Sequence, residues 1–241
     1  MQHIFTVTFE QSHVTKALLN TFLRQYPLLE ANIVSTNTIE FSQEKLSDFD
    51  RESLLLDIRF YDQNPSLPLE NLCSHLHNYF PKNESQEQLL EFARRLVALE
   101  DESMGAGLYM YGAAGIGKSH IAVGISKHFM RKGLRPNFQF ADRYSFTTNL
   151  NLEPGQVWII DDMNSGFSIA SQLFKKVVLN AHERGGRVFV TSNKEYNELM
   201  KEMFVGDSKA NLIRYEDRTK GMFKILEVNG DSFRQENAWY K

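Results

Sequence analysis

The sequence predicts an α/β protein in which a parallel sheet flanked by helices follows a small α+β domain. From Gly107 onward, short apolar runs alternate with helical patterns, which is typical of parallel strands joined by helical crossovers. Two of these runs are almost continuously apolar, as strands buried on both faces are. A break at Asp62–Pro68 interrupts both the helical and the strand periods, so it indicates a boundary between two domains.

The first predicted domain covers residues 1–66. Apolar side chains at helical spacing predict a helix over Val14–Tyr26. Looser apolar patterns predict strands at His3–Glu10, Ala31–Phe41 and Leu54–Tyr61. Together these elements indicate a small α+β domain.

The second predicted domain covers residues 67–241. An apolar stripe predicts its first helix over Ser85–Leu99. Two further helices are predicted at Lys118–Met130 and Ile169–Glu183. The strands that alternate with them are predicted at Gly107–Tyr111, Asn137–Phe140, Val157–Ile160 and Arg187–Thr191.

Composition narrows the class of protein. With 241 residues and 42% hydrophobic content, the chain can bury a core without a metal or disulfide. The single cysteine, Cys73, excludes an internal disulfide and a zinc cluster of several cysteines. Because we also find no signal peptide and no apolar run of roughly 18 residues, we expect a cytoplasmic protein without a membrane span. A net charge of −3 gives no general reason to bind nucleic acid.

One motif, at Gly112–Ser119, predicts a phosphate-binding loop. A strand precedes it and a helix follows it, as the loop of P-loop nucleoside triphosphatases requires. In such loops, backbone N–H groups and the helix amino end bind phosphates, the lysine reaches the outer phosphates, and the hydroxyl binds magnesium. The sequence therefore predicts ATP and Mg²⁺ as ligands, bound by Gly112, Ala113, Ala114, Gly115, Ile116, Gly117, Lys118 and Ser119.

Two acidic residues, Asp161 and Asp162, end the strand at Val157–Ile160. Parallel sheets bind ligands at the carboxyl ends of their strands, so this is the expected place for a magnesium-binding carboxylate. We predict that Asp161 holds the metal and that Asp162 orients or deprotonates the attacking water. The alternative is an acidic pair that only forms a turn.

Asn193 follows the next apolar strand, Arg187–Thr191. An amide at this point can hydrogen-bond both the outer phosphate and the attacking water. We therefore predict a catalytic role for Asn193, with a loop-capping asparagine as the alternative.

In order and spacing, these three elements resemble those of the AAA+ ATPases. The run Arg214–Arg218, followed by Ile225–Arg234, is similar to the end of the DnaC and IstB group of helicase loaders and transposase helpers. This resemblance implies that Arg218 is an arginine finger reaching a neighbouring subunit and that Arg234 senses phosphate or lies at the interface. A surface charge is the alternative for Arg218. The resemblance covers roughly residues 76–234, and Phe80–Asn83 is similar to the group's entry segment.

The chain departs from this group in two respects. Little room remains between Asp142 and Gln156 for the helical insert of initiators and loaders, which weakens the case for direct DNA handling. Few residues follow Asn193, so the helical lid is expected to be minimal or absent. The amino-terminal domain has no counterpart that we recognise, and we expect it to select the partner.

Three functions are compatible with the sequence. The first is an ATPase that loads or helps a helicase, initiator or transposase and forms an ATP-dependent homo-oligomer. The second is an adaptor that binds ATP with little turnover, and the third is a small-molecule kinase, which lacks support from paired arginines in a lid. Basic helix residues form either a nucleic-acid track or solvated faces: Lys127, Arg131, Lys132, Arg135, Lys175 and Lys176.

Overall fold

A computed structural model describes residues 3–43, 46–99, 105–141, 155–164, 169–206 and 208–233. Its backbone divides into two units, Met1–Ser74 and His75–Lys241, and each unit contains its own sheet. The segment 67–74, which the sequence pattern assigns to the second domain, lies in the first unit.

The first unit is a three-stranded antiparallel sheet with two helices, and its strand order is β1-β3-β2. Ile39 and Phe41 of the central strand are fully buried, and Phe22 of the first helix packs edge-on against Phe41. In chain order the elements are β1 (His3–Thr8), α1 (Lys16–Gln25), β2 (Leu29–Ser35), β3 (Thr38–Gln43) and α2 (Asp48–Gln63). A short 3-10 turn, Leu69–Asn71, packs against α1.

Two strand predictions in this unit are wrong. The predicted strand Leu54–Tyr61 lies inside α2, where Leu54, Asp57 and Ile58 share one buried face at helical spacing. The side chain of Ser47 caps this helix by accepting a hydrogen bond from the Asp50 amide. The predicted strand Ala31–Phe41 is a hairpin, because the chain reverses between β2 and β3.

The second unit is a parallel sheet with helices, as the sequence predicts, and the sheet has five strands. The strand order is β5-β6-β7-β4-β8. Among the described residues, none of the helices is both long and apolar enough to cross a membrane. The elements are α3 (Glu84–Ala98), β4 (Gly107–Tyr111), α4 (Lys118–Arg131), β5 (Pro136–Phe140), β6 (Val157–Asp161), α5 (Ile169–Arg184), β7 (Arg187–Ser192), α6 (Tyr196–Met203), α7 (Lys209–Met222) and β8 (Phe223–Glu227).

Helices cover both faces of this sheet. Trp158 and Ile160 of β6 belong to a buried layer that includes residues of α5 and α6. On the other face, the ring of Phe129 in α4 stacks on that of Phe189 in β7, with centroids 6.1 Å apart. Successive strand residues thus point to opposite buried faces, which explains why β6 and β7 read as continuous apolar runs.

A buried hydrogen bond in the first unit gives a test of its packing. The hydroxyl of Tyr26 donates to Oδ2 of Asp57 across 2.8 Å, and both side chains are buried. Burial and then the charge of Asp57 raise the pKa of Tyr26, so the phenol remains a donor. We expect Tyr26→Phe to lower the opening free energy of this unit by about 1–3 kcal/mol, because a buried carboxylate loses a donor.

Amide hydrogen exchange measures this opening free energy separately for each unit. The control is Tyr61→Phe, which removes a hydroxyl from a half-buried tyrosine of α2 in the same unit. The prediction is wrong if both substitutions change exchange in α2 and β3 equally. Exchange in β6 and β7 should stay unchanged in either variant.

Candidate nucleotide-binding site

The strand order brings the three predicted motifs to one edge of the parallel sheet. β7 lies between β4 and β6, and the three strands run in the same direction. Their carboxyl ends therefore lie side by side. The chain crosses from β4 to the far strand β5 and later returns, so the order reverses beside β4, where such sheets bind ligands.

The loop after β4 has a shape that requires glycine. Gly115 and Gly117 have φ angles of +79° and +94°, in the left-handed region. A Cβ atom on Gly115 would lie 2.1 Å from the hydroxyl of Ser232, and one on Gly117 would lie 2.5 Å from the ring of Tyr79. The loop is therefore packed closely against residues outside it, and alanine would not fit at either position.

Lys118 begins α4, and its side chain is buried over the loop. Its Nζ donates to the carbonyl oxygens of Gly112 and Ala113, at 2.7 and 2.6 Å. It also donates to Oδ1 of Asn193, at 3.3 Å. The structure thus brings the predicted lysine and the predicted amide together, although 75 residues separate them.

Asp161 connects three elements through one carboxylate oxygen. Its Oδ1 accepts hydrogen bonds from the hydroxyls of Ser119 in α4 and Thr191 in β7, both at 2.7 Å. Burial raises the pKa of Asp161, and the two hydroxyl donors oppose this shift. The adjacent hydroxyl and carboxylate are hard oxygen ligands of the kind that magnesium prefers, so these residues fit the predicted metal.

Asp162 has a left-handed backbone conformation. Its φ angle is +56°, and it is the one non-glycine residue with positive φ in the described part of the chain. Asp and Asn tolerate this region better than most residues. The amide of Asp162 donates to Oγ1 of Thr191 at 2.9 Å, and its side chain is half-buried.

Comparison with solved structures identifies the fold of this chain. DnaI matches with 18% identity and a TM-score of 0.56, over 69% of this chain and 93% of its own. The DnaC helicase loader matches with 19% identity and a TM-score of 0.52, over 66% of this chain and 99% of its own.

The chain has the AAA+ fold. The resemblance to the DnaC group is thus confirmed at the level of the fold. No protein-family model matches the sequence, and a comparison with curated proteins finds no significant match.

Several residues that support the candidate site carry no signal that we recognised in the sequence. Thr191 contacts both Asp161 and Asp162 through its hydroxyl. Oδ1 of Asn164 accepts a hydrogen bond from the backbone N–H of Asn193 at 2.6 Å, and the hydroxyl of Ser192 donates to the Met163 carbonyl at 2.7 Å. Polar residues directly after two adjacent strands were the available clue, but the strand order was needed to pair them.

Of the two predicted arginines, Arg218 lies in the described part of the chain, and it lies apart from these contacts. Arg218 is exposed on α7, where its guanidinium lies 3.6 Å from Oε1 of Glu183 in α5, which is also exposed. Its role as a finger stays a prediction. Arg234 lies outside the described residues.

The other candidate groups give no second site. Lys127 is buried, and Nζ of Lys175 donates to the Met203 carbonyl at 2.6 Å, so the basic helix residues do not share one exposed face. His120 bonds through Nε2 to the His75 carbonyl, at 2.9 Å, and burial lowers its pKa to about 4. Within the described ranges, no group of three His, Cys, Asp or Glu residues could hold a metal.

Thr191 gives a test of the site's electrostatics. Thr191→Val removes the hydroxyl that donates to the Asp161 carboxylate and accepts from the Asp162 backbone amide, with little change in side-chain volume. This substitution should lower the unfolding free energy of the unit by about 1–3 kcal/mol at neutral pH. The pKa of Asp161 already lies above its ordinary value of 3.8, and losing a donor raises it further. A carboxyl group whose pKa is raised in the folded state stabilises the fold at low pH. This stabilisation is lost as the pH rises through the folded-state pKa.

The cost of Thr191→Val should therefore be larger at neutral pH than near the ordinary carboxyl pKa. Amide exchange in β6 and β7, measured at both pH values, gives this difference. Thr219→Val is the control, since Thr219 is equally buried but donates to the Tyr215 carbonyl rather than to a carboxylate. Equal pH dependence in the two variants would contradict the prediction.

Proposed function

We propose that this chain is an ATP-binding and ATP-hydrolysing AAA+ protein that loads or helps a partner in DNA replication or transposition. One observation carries the proposal. The hydroxyl of Ser119 and the carboxylate of Asp161, which two separate motifs nominate as magnesium ligands, lie 2.7 Å apart. Surface residues that match such motifs by chance have no reason to meet in a hydrogen bond whose acceptor is buried.

In this proposal the loop and the first turn of α4 bind the phosphates. The backbone N–H groups of Gly112–Ser119 and the amino end of α4 supply partial positive charge, and Lys118 supplies a full one. Ser119 and Asp161 hold Mg²⁺, which neutralises charge on the outer phosphates. Arg234 is proposed to contact the nucleotide as well, by the family resemblance alone.

Hydrolysis to ADP and phosphate is assigned to Asp162 and Asn193. Asp162 accepts a proton from, or orients, the attacking water, and the Asn193 amide bonds the water and the outer phosphate. Lys118 and Asn193 share a hydrogen bond, so moving Nζ towards a phosphate releases the Asn193 oxygen. This exchange links phosphate binding to the end of β7, as a nucleotide-dependent switch requires.

The partner is proposed to be a protein, namely a helicase, initiator or transposase. One of the matched structures is described as a helicase loader. Residues 1–74 carry 5 Lys and Arg against 10 Asp and Glu, so the first unit is acidic and is better suited to a basic protein surface than to nucleic acid. The active form is proposed to be a homo-oligomer in which Arg218 reaches a neighbour's ATP.

Two variants separate ATP binding from hydrolysis. Lys118→Ala should abolish ATP binding with the fold intact, because it removes the positive charge that is proposed to bind the outer phosphates. Asp162→Asn should bind Mg-ATP normally but hydrolyse it at least about 100-fold more slowly, because the carboxylate near the water is lost. Asparagine also tolerates the left-handed backbone of residue 162, so this change should not distort the turn.

Calorimetric titration with ATP and a phosphate-release assay measure these effects. Unchanged ATP affinity in Lys118→Ala would exclude the phosphate-loop assignment. Loss of binding in Asp162→Asn would mean that the roles of the two aspartates are reversed. Tight binding with negligible turnover by the unaltered protein would favour the adaptor.

Arg218 gives a test of a site shared between subunits. Arg218→Ala should bind ATP normally and hydrolyse it at least about 100-fold more slowly, because the transition-state charge loses its partner. Mixing it with Lys118→Ala should restore part of the turnover, since each variant supplies what the other lacks at a head-to-tail interface. Turnover per subunit of the unaltered protein should rise with concentration.

Arg214→Ala is the matched control, because Arg214 is an exposed arginine one turn earlier in α7. The shared site is excluded if Arg218→Ala hydrolyses ATP like the unaltered protein. It is also excluded if the mixture is no more active than the sum of its components.

A further inference from the structure

Two carbonyl groups of the phosphate loop are bound by residues outside the loop. The hydroxyl of Tyr79 donates to the Ile116 carbonyl at 3.2 Å, and the amide of Phe233 donates to the Gly115 carbonyl at 2.9 Å. Burial raises the pKa of Tyr79, so its hydroxyl remains protonated. The two donors lie far apart along the chain, since Tyr79 precedes α3 and Phe233 follows β8.

The segments that supply these donors are also bound to each other. Nδ2 of Asn83 donates to the Asn229 carbonyl at 3.0 Å, and the hydroxyl of Ser85 donates to the Glu227 carbonyl at 3.1 Å. Nζ of Lys82 lies 4.3 Å from the centre of the Phe233 ring, a cation–π distance. Residues 79–85 and 227–233 thus form one connected structure, called here the clasp.

The clasp fixes the direction of the N–H groups on the other side of the loop. In a planar trans peptide, the C=O of one residue and the N–H of the next point in opposite directions. Holding the carbonyls of Gly115 and Ile116 therefore directs the amides of Ile116 and Gly117 away from the clasp.

We propose that the clasp holds the phosphate loop in its binding shape and that Tyr79 is a positioning residue for nucleotide affinity. This inference rests on the proposed ATP binding. The physical reason is preorganisation, since a loop that already directs its amides loses less conformational entropy when phosphate binds. Linkage requires the reverse effect as well: bound ATP stabilises the clasp, including the chain at Phe233.

The test compares Tyr79→Phe with Tyr215→Phe. Tyr79→Phe keeps the ring that packs on Gly117 and removes only the donor to Ile116. Tyr215 is also buried in this unit, but its hydroxyl has no hydrogen-bond partner among the described residues. Calorimetric titration with Mg-ATP gives the affinity, saturating phosphate-release assays give kcat, and amide exchange reports on Phe233.

Tyr79→Phe should weaken ATP binding about tenfold, the usual effect of one buried hydrogen bond, and should leave kcat within about twofold. The Phe233 amide should exchange faster in this variant, and ATP should slow its exchange in the unaltered protein. Tyr215→Phe should change none of these quantities. Equal ATP affinity in Tyr79→Phe and the unaltered protein, or equal weakening by both substitutions, overturns the proposal.

A failure of the proposed ATP binding can be distinguished from a failure of the clasp. If the unaltered protein does not bind ATP, exchange in the free protein still decides whether the clasp exists. Faster exchange of the Phe233 amide in Tyr79→Phe, but not in Tyr215→Phe, then supports the clasp as a support of the loop. Unchanged exchange in both variants overturns it.

Discussion

The candidate site depends on one buried oxygen atom, Oδ1 of Asp161. It accepts hydrogen bonds from the hydroxyls of Ser119 and Thr191, so a single acceptor joins helix α4, which follows the predicted phosphate loop, to the strands β6 and β7. Burying a carboxylate is costly, and its raised pKa reflects that cost. The two hydroxyl donors offset part of it, and they hold the carboxylate in the position that the sequence assigns to a magnesium ligand.

The sequence predicted the parts of the site that depend on short stretches of chain. Gly112–Ser119, Asp161 and Asn193 each follow an apolar strand, and parallel strands bring their carboxyl ends to one edge. Fold class followed from the same alternation, and the match to DnaI and DnaC agrees with it. One short apolar run was misleading, because Leu54–Tyr61 lies within a helix that Ser47 caps and that buries one face at helical spacing.

Contacts between distant residues could not be predicted in this way. Thr191 meets Asp161 only because β7 pairs with β6, and strand order is not encoded in any one segment. Tyr79 and Phe233 meet at the phosphate loop although 154 positions separate them in the sequence. The apolar pattern indicates only that such residues are buried, whereas their hydrogen-bond partners follow from how the whole unit packs.

Two independent supports therefore converge on the start of α4. Strand β7 holds the acidic end of β6, since Thr191 bonds both aspartates and its carbonyl accepts the Met163 amide at 2.8 Å. These bonds also stabilise the left-handed backbone of Asp162, which by itself costs of order 1 kcal/mol or more. The clasp holds the loop from the opposite side. Lys118 and Ser119 are the first residues of α4. Lys118 bonds both the loop that the clasp holds and Asn193, and Ser119 bonds Asp161, so the position of this helix end relates the loop to the residues proposed to carry out hydrolysis.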